Sequence, residues 1–545
     1  MARKIKSGYI HHAYKTLNES EIFWVYNALD AAVTHEIHGI LEPQLDPATT
    51  RRTYDFERNL QGPIMDIMMR GFRVDKEAVE KALHGDPTFS YLPEEVGKKY
   101  ETLEEAETEQ RNMRRGLYPR LHEIGGMKKY PEKKTNKWVI ENQDSLIQVL
   151  ADAIWGQPLN YHSPKQIQAF LYGALRLPEQ TKLEKGKLKV CTDEEALEHL
   201  AQNYPRAKVV CKTILLLRGL EKLVEVLEKG VDDDARMRCS YHIAGTETGR
   251  LSSSTSVNDT GTNMQNITNE LRRIFVPDPG YILCNVDLEQ AESRGVAYLS
   301  REDKYIRACE GRDLHTTVAS MLFNIEDDRA VADRLYYRHF SYRHMAKSAG
   351  HGLNYGLSPN SLAVNMHITQ KQAWRVYLLY LGGELRADKA VALDLYDMEH
   401  EKDGRYWVFP GAFPGIKRWH LETVQELEMN SVLVTPFGRK RTFWGRLNDG
   451  TTAREAIAFR PQSLIADVLN TGMLRIRESL PEVQLLAQVH DSLAFQVREK
   501  ELDEIAPKVL KCLRVEIEIH GRTLVIPAEL KFGHNWRDMR KWSQK

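Results

Sequence analysis

Two aspartates about 200 residues apart each end an apolar run that is typical of a β-strand. Residues 281–286 lead into Asp287, and residues 485–489 lead into His490 and Asp491. Two carboxylates on neighbouring strands repel each other unless a cation lies between them, and Mg²⁺ prefers carboxylate ligands. A lone Asp at a strand end is more often a turn residue. The pair, together with the segment between its members, predicts metal-assisted transfer to or from a triphosphate.

The segment between the two aspartates contains a helix with a charged stripe. Arg343, Lys347, His351 and Tyr355 are spaced by four, so on a helix they share one slowly rotating face. At about 1.5 Å per residue the stripe runs from cationic to aromatic over roughly 18 Å. A nucleoside triphosphate has the same polarity, which predicts phosphates near Arg343 and Lys347 and a base near Tyr355. A surface helix with a partly buried tyrosine is the alternative interpretation of this pattern alone.

Composition limits the class of protein without pointing to a partner. At 545 residues, with 42% apolar and 28% charged residues, the chain should form several globular domains. Lys+Arg and Asp+Glu both number 76, so no basic excess indicates or excludes nucleic acid. The six cysteines form no CxxC pair, which argues against a zinc site or disulfide framework. Neither a signal peptide nor a membrane-length apolar run is found, so we expect a soluble cytoplasmic protein with no membrane partner.

Local patterns predict the main elements. Residues 20–45 are predicted to form a helix with Ser20 as its N-cap, and residues 54–69 a second helix followed by a strand at 72–75. The charged stretch 95–145 is either a solvated helical arm or a projection over a phosphate backbone. Further predictions are a helix from residue 163, an amphipathic helix at 215–227, strands and turns after Gly230, helix from 291 to about 460, and a strand at 523–526.

In order and spacing, these segments resemble the three catalytic motifs of family A (polymerase-I-like) DNA polymerases. The family helix reads Arg-x3-Lys-x3-Phe/Tyr-Gly-x2-Tyr-Gly, and this chain has Arg343-x3-Lys347-x3-His351-Gly352-x2-Tyr355-Gly356. The first motif matches as Asp287 and Glu292, and the third as His490–Asp491. A register that aligns residues 354–356 with the family's Asn-Phe-Gly would leave Arg343 and Lys347 out of place.

The resemblance implies a fold and an activity. The fold is an α+β multidomain right-hand polymerase with an antiparallel palm sheet, helical fingers and a helical thumb. The implied activity is template-directed addition of dNTPs to a primer 3′-OH on primer–template DNA, with two Mg²⁺ ions that Mn²⁺ can replace. The expected domains are an exonuclease remnant (1–50), thumb and connecting helices (51–240), palm (241–300), fingers (301–455) and the rest of the palm (456–545).

The resemblance also implies roles for individual residues. Asp287, Asp491 and the backbone carbonyl of Leu288 are expected to hold the metal ions, and Arg343 and Lys347 to act in catalysis. Glu292 corresponds to the residue that blocks a ribose 2′-OH. The remaining substrate-binding residues are His315 at the phosphates, His351 at the sugar, Tyr355 at the base, Arg250, Arg454 and Gln462 at primer and template, and His490 of the third motif. Segments 246–253 and 263–267 resemble the palm segments that hold primer and template, and segment 435–441 resembles the family's Gly-Arg-x-Arg loop.

Several positions depart from the family pattern. His351 replaces an aromatic residue, Ala458 an Asn, and Ser492 a Glu. Tyr26-x3-Asp30 resembles the last motif of the family's 3′–5′ exonuclease, but no Asp precedes Asp30 and the earlier acids are Glu19 and Glu21. We therefore expect no proofreading by this chain, a docking role for the helix toward a separate exonuclease or replication subunit, and an origin in a phage or mobile element.

Three other functions are compatible with parts of the pattern. A single-subunit RNA polymerase shares the paired Asp residues and the Lys/Tyr helix, although Glu292 argues against ribonucleotides. A catalytically silent DNA-binding scaffold would not need Asp287, Asp491, Arg343 and Lys347. A metal-dependent nuclease has no use for a triphosphate-binding helix.

Overall fold

The computed structural model describes residues 18–84 and 147–543, apart from 48, 149, 153, 185–186, 257–259, 270, 312, 338–339, 367 and 448. The charged stretch 95–145 lies outside these residues. The first helices are α1 (Glu19–Leu41), α2 (Thr50–Arg70), α3 (Lys76–His84), α4 (Pro164–Gln168), α5 (Glu194–Asn203) and α6 (Pro205–Glu228). Those that follow are α7 (Ala291–Ser300), α8 (Asp303–Glu310), α9 (Leu314–Phe323), α10 (Arg329–Ala332), α11 (Tyr342–Asn354) and α12 (Pro359–Asn365). The last are α13 (Gln370–Leu381), α14 (Ala387–Ala392), α15 (Pro414–Asn430), α16 (Gly450–Ser479) and α17 (Leu502–Leu513).

The strands are short except in one central sheet. Those before it are β1 (Phe72–Val74), β2 (Thr181–Glu184), β3 (Lys187–Val190), β4 (Arg236–Met237), β5 (Cys239–His242), β6 (Ser252–Thr255) and β7 (Phe275–Val276). Next come β8 (Tyr281–Leu288), β9 (Leu335–Tyr337), β10 (Phe340–Ser341), β11 (Gly383–Arg386), β12 (Glu401–Asp403), β13 (Tyr406–Phe409), β14 (Val432–Val434) and β15 (Lys440–Thr442). The last are β16 (Gln484–Val489), β17 (Ser492–Arg498), β18 (Glu516–Ile519), β19 (Arg522–Val525), β20 (Ala528–Gly533) and β21 (Arg540–Lys541).

The central sheet has five antiparallel strands in the order β16-β17-β8-β20-β21. Strand β8 is its middle member, with β17 and β20 paired to its two edges. Its sequence is almost continuously apolar, as expected for a strand covered on both faces. A residue in β8 therefore has a neighbour on each side, and Asp287 lies between Ser492 and Glu529.

Helices cover this sheet and join it to the rest of the chain. Helix α16 runs for 30 residues through Pro461 and packs against α7, α2 and α17. Buried side chains of α2, β8, α7, α11, α16 and the C-terminal strands form one continuous apolar core. The predicted α+β class is confirmed. In the described ranges no helix is both long enough and apolar enough to cross a membrane.

The N-terminal helix differs in detail from its prediction. Its N-cap is Asn18 rather than Ser20, because the Asn18 side chain and Glu21 form a reciprocal capping box. The helix ends at Leu41 and a single 3₁₀ turn follows at Glu42–Gln44, with Pro43 as its second residue, so the predicted extension of the helix to residue 45 is wrong. Large apolar side chains on α1 are exposed, including Trp24 at 72%.

Continuous helix between residues 291 and 460 was also a wrong prediction. Two hairpins, β9–β10 and β14–β15, and the three-stranded sheet β11-β13-β12 interrupt it. The three-stranded sheet fits between α13 and α15 because Gly382 and Gly411 approach closely in left-handed conformations, with φ of 65° and 68°. A side chain on either glycine would collide with backbone. The strands of this three-stranded sheet have three or four residues each, which is too short for a clear alternation of apolar and polar residues.

Candidate active site

The sheet brings the two predicted metal-binding aspartates together. Asp287 is the second-last residue of β8, and Asp491 lies in the tight turn between β16 and β17. Ser492, the residue after Asp491, is directly opposite Asp287, and the Leu288 N–H donates to the Asp491 carbonyl at 3.1 Å. Residues opposite each other in an antiparallel pair have Cα atoms about 4.5–5.5 Å apart. Two carboxylates distant in sequence are thus neighbours at one edge of β8.

Both carboxylates have altered acidity. Burial, followed by the charge of Asp491, raises the pKa of Asp287 to about 7. Burial also raises the pKa of Asp491, and Glu292 adds to this effect. A divalent cation would offset both causes, because it replaces lost hydration and screens the repulsion. The donor set therefore fits a metal ion.

The turn that carries Asp491 is held in an unusual conformation. His490 has φ of 54°, in the left-handed region that non-glycine residues seldom adopt. The Gln488 side-chain amide donates to the His490 carbonyl at 2.6 Å, and the Gln265 amide donates to Gln488 Oε1 at 2.9 Å. The Tyr241 hydroxyl donates to the Gln488 carbonyl at 2.8 Å and accepts from the Gln488 N–H at 3.1 Å. Sequence analysis singled out the segment of Gln265 but missed Gln488 and Tyr241, which carry no motif.

Helix α11 presents its cationic end beside a half-buried histidine, His315. The Arg343 guanidinium donates through Nε and Nη2 to the Asp313 carboxylate, both at 3.1 Å. Burial alone would favour the protonated form of Asp313. The hydrogen bonds and charge of Arg343 outweigh burial and hold the pKa of Asp313 below its ordinary value. Burial, then the charges of Arg343 and Lys347, lower the pKa of His315 to about 4. His315 is therefore neutral at pH 7 and lies close to both cations, and Lys347 is exposed.

The aromatic end of α11 meets the first turn of α7 at Glu292. The Glu292 carboxylate accepts from Arg250 Nη2 at 2.7 Å and lies 3.7 Å from His351 Nδ1. Burial and then the Glu292 charge raise the pKa of the Tyr355 hydroxyl. Because Glu292 also raises the pKa of Asp491, it connects the aromatic end of the helix to the aspartate pair.

The remaining predicted residues lie on α16 and in the β16–β17 turn. Arg454 packs at the end of α11, since a side chain on Gly356 would lie 3.8 Å from Arg454 Cγ. Gln462 is half-buried two turns further along the same helix, and His490 is exposed beside Asp491. The two aspartates and Glu292, Arg250, His351, Tyr355 and Arg454 are linked through these contacts. Arg343, Lys347 and His315 form a second group at the other end of α11.

One residue of the Gly-Arg-x-Arg loop, Arg439, is buried. Arg439 forms ion pairs with Glu57 and, at 2.8 Å, with Asp467, and all three side chains are largely buried. It therefore ties α2 and α16 to the β14–β15 hairpin. Within the described residues no three His, Cys, Asp or Glu side chains gather as a metal cage. The aspartate pair would leave further coordination positions to backbone, water and substrate.

Comparison with known proteins agrees with this arrangement. The model of DNA polymerase family A matches residues 132–382 and 404–538, well over half of the chain. DNA polymerase I of Chloroflexus aurantiacus is 29% identical over 410 residues, which cover 70% of this chain and 38% of that protein. DNA polymerase I of Streptococcus pneumoniae is 31% identical over 409 residues, covering 70% and 40%. The thermostable DNA polymerase I of Thermus aquaticus is 28% identical over 397 residues, covering 69% and 41%.

A solved structure shows the same fold. The POL domain of Pol1 from M. smegmatis, in complex with DNA primer-template and dNTP, matches 88% of this chain and 70% of that chain. The TM-score is 0.62 at 22% sequence identity. The matched regions span about two fifths of the length of the curated relatives. From the extent of the family match, the chain belongs to DNA polymerase family A.

Proposed function

We propose that this protein is a DNA-dependent DNA polymerase that adds dNTPs to the 3′-OH of a primer. The observation that carries the proposal is that the central sheet presents negative charge and helix α11 presents positive charge. Asp287 and Asp491 crowd two carboxylates at one strand edge, and α11 presents Arg343 and Lys347 in a line. Two metal ions and a triphosphate would satisfy both sets of charges at once.

The proposed roles follow from position. Asp287, Asp491 and the Leu288 carbonyl hold two Mg²⁺ ions, or Mn²⁺ in their place, which lower the pKa of the attacking hydroxyl and offset charge on the leaving pyrophosphate. Arg343 and Lys347 bind the outer phosphates. Neutral His315 donates a hydrogen bond to the same phosphates without adding charge.

Residues at the other end of the stripe select the sugar and the base. Glu292, fixed by Arg250, occupies the space a ribose 2′-OH would need, and His351 lies beside the sugar. Tyr355 packs against the base. Arg454, Gln462 and His490 contact template and primer, and Arg250 does so in addition to holding Glu292.

We also propose the domain layout expected from the resemblance. It comprises an exonuclease remnant at 1–50, thumb and connections at 51–240, palm at 241–300 and 456–545, and fingers at 301–455. The central sheet, built from 281–288 and 484–541, is consistent with a palm divided between two segments. Limited proteolysis followed by mass spectrometry tests these limits, because cleavage should concentrate at the boundaries.

The biological role we propose is phage genome replication without proofreading by this chain. Asp30 is exposed on α1, and within the described residues no group of three acids or histidines gathers around it. A separate exonuclease or replication subunit would then supply editing. A mismatched, 3′-labelled primer incubated with Mg²⁺ and no dNTP should keep its length. Shortening that disappears in Asp30→Ala would show a working exonuclease site.

Primer extension on a labelled DNA hairpin tests the polymerase itself. We expect extension with dNTPs and Mg²⁺, none with EDTA, and little with rNTPs. Efficient extension with rNTPs would indicate a single-subunit RNA polymerase. Tight hairpin binding with no extension under any metal would indicate a catalytically silent DNA-binding protein, and loss of primer length a nuclease.

A further inference from the structure

Trp444 is the most exposed large apolar side chain in the described chain, at 91% of its surface. It lies in the segment 443–447, which connects β15 to α16. The residue before it, Phe443, is 5% exposed and packs against Phe459 in a small apolar cluster. The Phe443 N–H also donates to the Ser431 carbonyl at 2.9 Å. Trp444 is therefore directed to solvent by an anchored neighbour.

The charges around Trp444 are largely neutralised. Lys440 pairs with Asp46 at 2.7 Å, and Arg441 pairs with Glu455 at 2.8 Å while lying over the Phe443 ring. Arg446 is an exposed cation two residues from the indole. The segment thus offers one aromatic face and one nearby cation, not a broad basic patch.

The segment lies close to the aromatic end of α11. A side chain on Gly445 would come within 2.8 Å of the Thr452 hydroxyl, which places the segment against the first turn of α16. Five positions further on, Ile457 lies 3.1 Å from where a side chain on Gly356 would be. Five residues correspond to about 7.5 Å of helix axis, roughly the rise of two stacked nucleotides.

We propose that Trp444 is a stacking platform for an unpaired template base ahead of the primer terminus, with Arg446 beside the adjoining phosphate. The inference rests on the proposed function, because it takes the base pair being formed to lie at Tyr355. Single-stranded nucleic acid is bound by isolated aromatic faces combined with cations, since every base has a π-face. A protein partner would require a contiguous apolar surface, whereas the neighbouring exposed residues Thr442, Arg446 and Asp449 are polar.

Affinity for two hairpins tests the platform. One hairpin has a single unpaired template nucleotide ahead of the primer terminus. The other has six unpaired template nucleotides, with 2-aminopurine at the second or third of them. We expect wild type to bind the longer overhang about tenfold more tightly and to quench 2-aminopurine fluorescence by stacking. Trp444→Ala should lose the gain and the quenching, and Trp444→Phe should keep most of both.

Trp24→Ala is the matched control, because it removes an exposed tryptophan from α1. It should bind like wild type. A Trp444→Ala protein that keeps the overhang gain, equal losses in both tryptophan variants, or no gain in wild type would each overturn the inference. Incorporation opposite the single unpaired nucleotide separates the two proposals. It should proceed equally in wild type and Trp444→Ala, and its absence in wild type would instead contradict the proposed function.

Discussion

The central sheet and helix α11 approach the proposed substrate site with opposite charge. On the sheet, Asp287 and Asp491 are held on adjacent backbone segments, where burial raises the pKa of both. On the helix, Arg343 and Lys347 are one turn apart, and Asp313 already pairs with Arg343. The negative charges are concentrated at two half-buried residues, whereas the positive charges are spread along the helix and partly balanced by Asp313.

This difference indicates where each element obtains its stability. Among the residues that the structure describes, no cationic side chain forms an ion pair with Asp287 or Asp491, so a bound metal ion would relieve the repulsion between them. Helix α11 already has a counterion, because Asp313 of the neighbouring segment accepts a hydrogen bond from Arg343. Its first turn is capped by Ser341, so the helix can form without substrate. We expect loss of one aspartate to affect catalysis most, and changes at the aromatic end of the helix to affect selectivity.

The largest effect is expected from Asp491→Ala. Without this carboxylate the metal ions lose a ligand, and single-turnover extension should fall on the order of 10³-fold or more, about 4 kcal/mol. Hairpin affinity should change little. Glu529→Gln is the matched control, because Glu529 lies on the other side of Asp287 and is held by Lys531 and Lys541. Near wild-type extension by Asp491→Ala would exclude this residue from the metal site.

A smaller effect is expected at the helix–sheet junction from Glu292→Ala. The truncation opens the space proposed to exclude a 2′-OH, and the preference for dNTP over rNTP should fall on the order of 10- to 200-fold. Glu292→Gln keeps the volume and removes the charge, so it should retain most of the preference. If Gln and Ala reduce the preference equally, the charge that Glu292 presents to Arg250 and His351 sets selectivity instead of its size.

The next prediction concerns His351→Phe, a substitution on helix α11 that leaves the central sheet unchanged. The His351 side chain is 74% exposed, and its Nδ1 is 3.7 Å from the Glu292 carboxylate, so a hydrogen bond to the incoming nucleotide is open to it. We expect the ratio of dideoxy to deoxy incorporation to shift about tenfold, or 1.4 kcal/mol, in His351→Phe. His351→Tyr, which restores a polar group, should shift it less. Single-turnover rates with both nucleotides give the ratio, and identical ratios in all three proteins would assign His351 to packing.

The smallest effect concerns stability. The pKa of Asp287 is about 7 in the folded protein and 3.8 ordinarily, so between these values the folded state binds more protons. Its contribution to stability therefore falls as pH rises from about 4 to about 7. In EDTA, Asp287→Asn should be more stable than wild type at pH 8 by on the order of 1 kcal/mol, after allowance for solvent screening, and equal near pH 4. Mg²⁺ should stabilise only wild type, and a pH-independent difference would contradict the assignment.

Sequence patterns were sufficient where a residue and its neighbours obeyed one local rule. The apolar runs before Asp287 and Asp491 are strands, and the four-residue spacing from Arg343 to Tyr355 follows α11 up to its C-cap. The start of α1 was missed because Asn18, two residues before the predicted cap Ser20, is also a residue type that caps helices. Only the reciprocal bond to Glu21 decides between them.

Contacts between distant segments were the part that sequence could not provide. Nothing in the sequence shows that Gln488 is hydrogen-bonded to Tyr241, 247 residues before it, and to Gln265, 223 residues before it. Likewise, nothing in the Gly-Arg-x-Arg pattern around Arg439 shows that its partners are Glu57 and Asp467, which lie in helices far along the chain. Such pairings depend on the packing of whole elements.

The position of β8 between β17 and β20 also bears on how the protein is made. Both neighbours come from the last 54 residues of the chain, so Asp287 leaves the ribosome well before either partner strand. At about 5–20 residues per second, roughly 10–40 s of synthesis separate the two aspartates. Until then the apolar strand has both edges unpaired, which is the condition that favours aggregation and chaperone binding. Slowed translation between residues 290 and 480 should therefore reduce the soluble yield more than the same delay placed after residue 533.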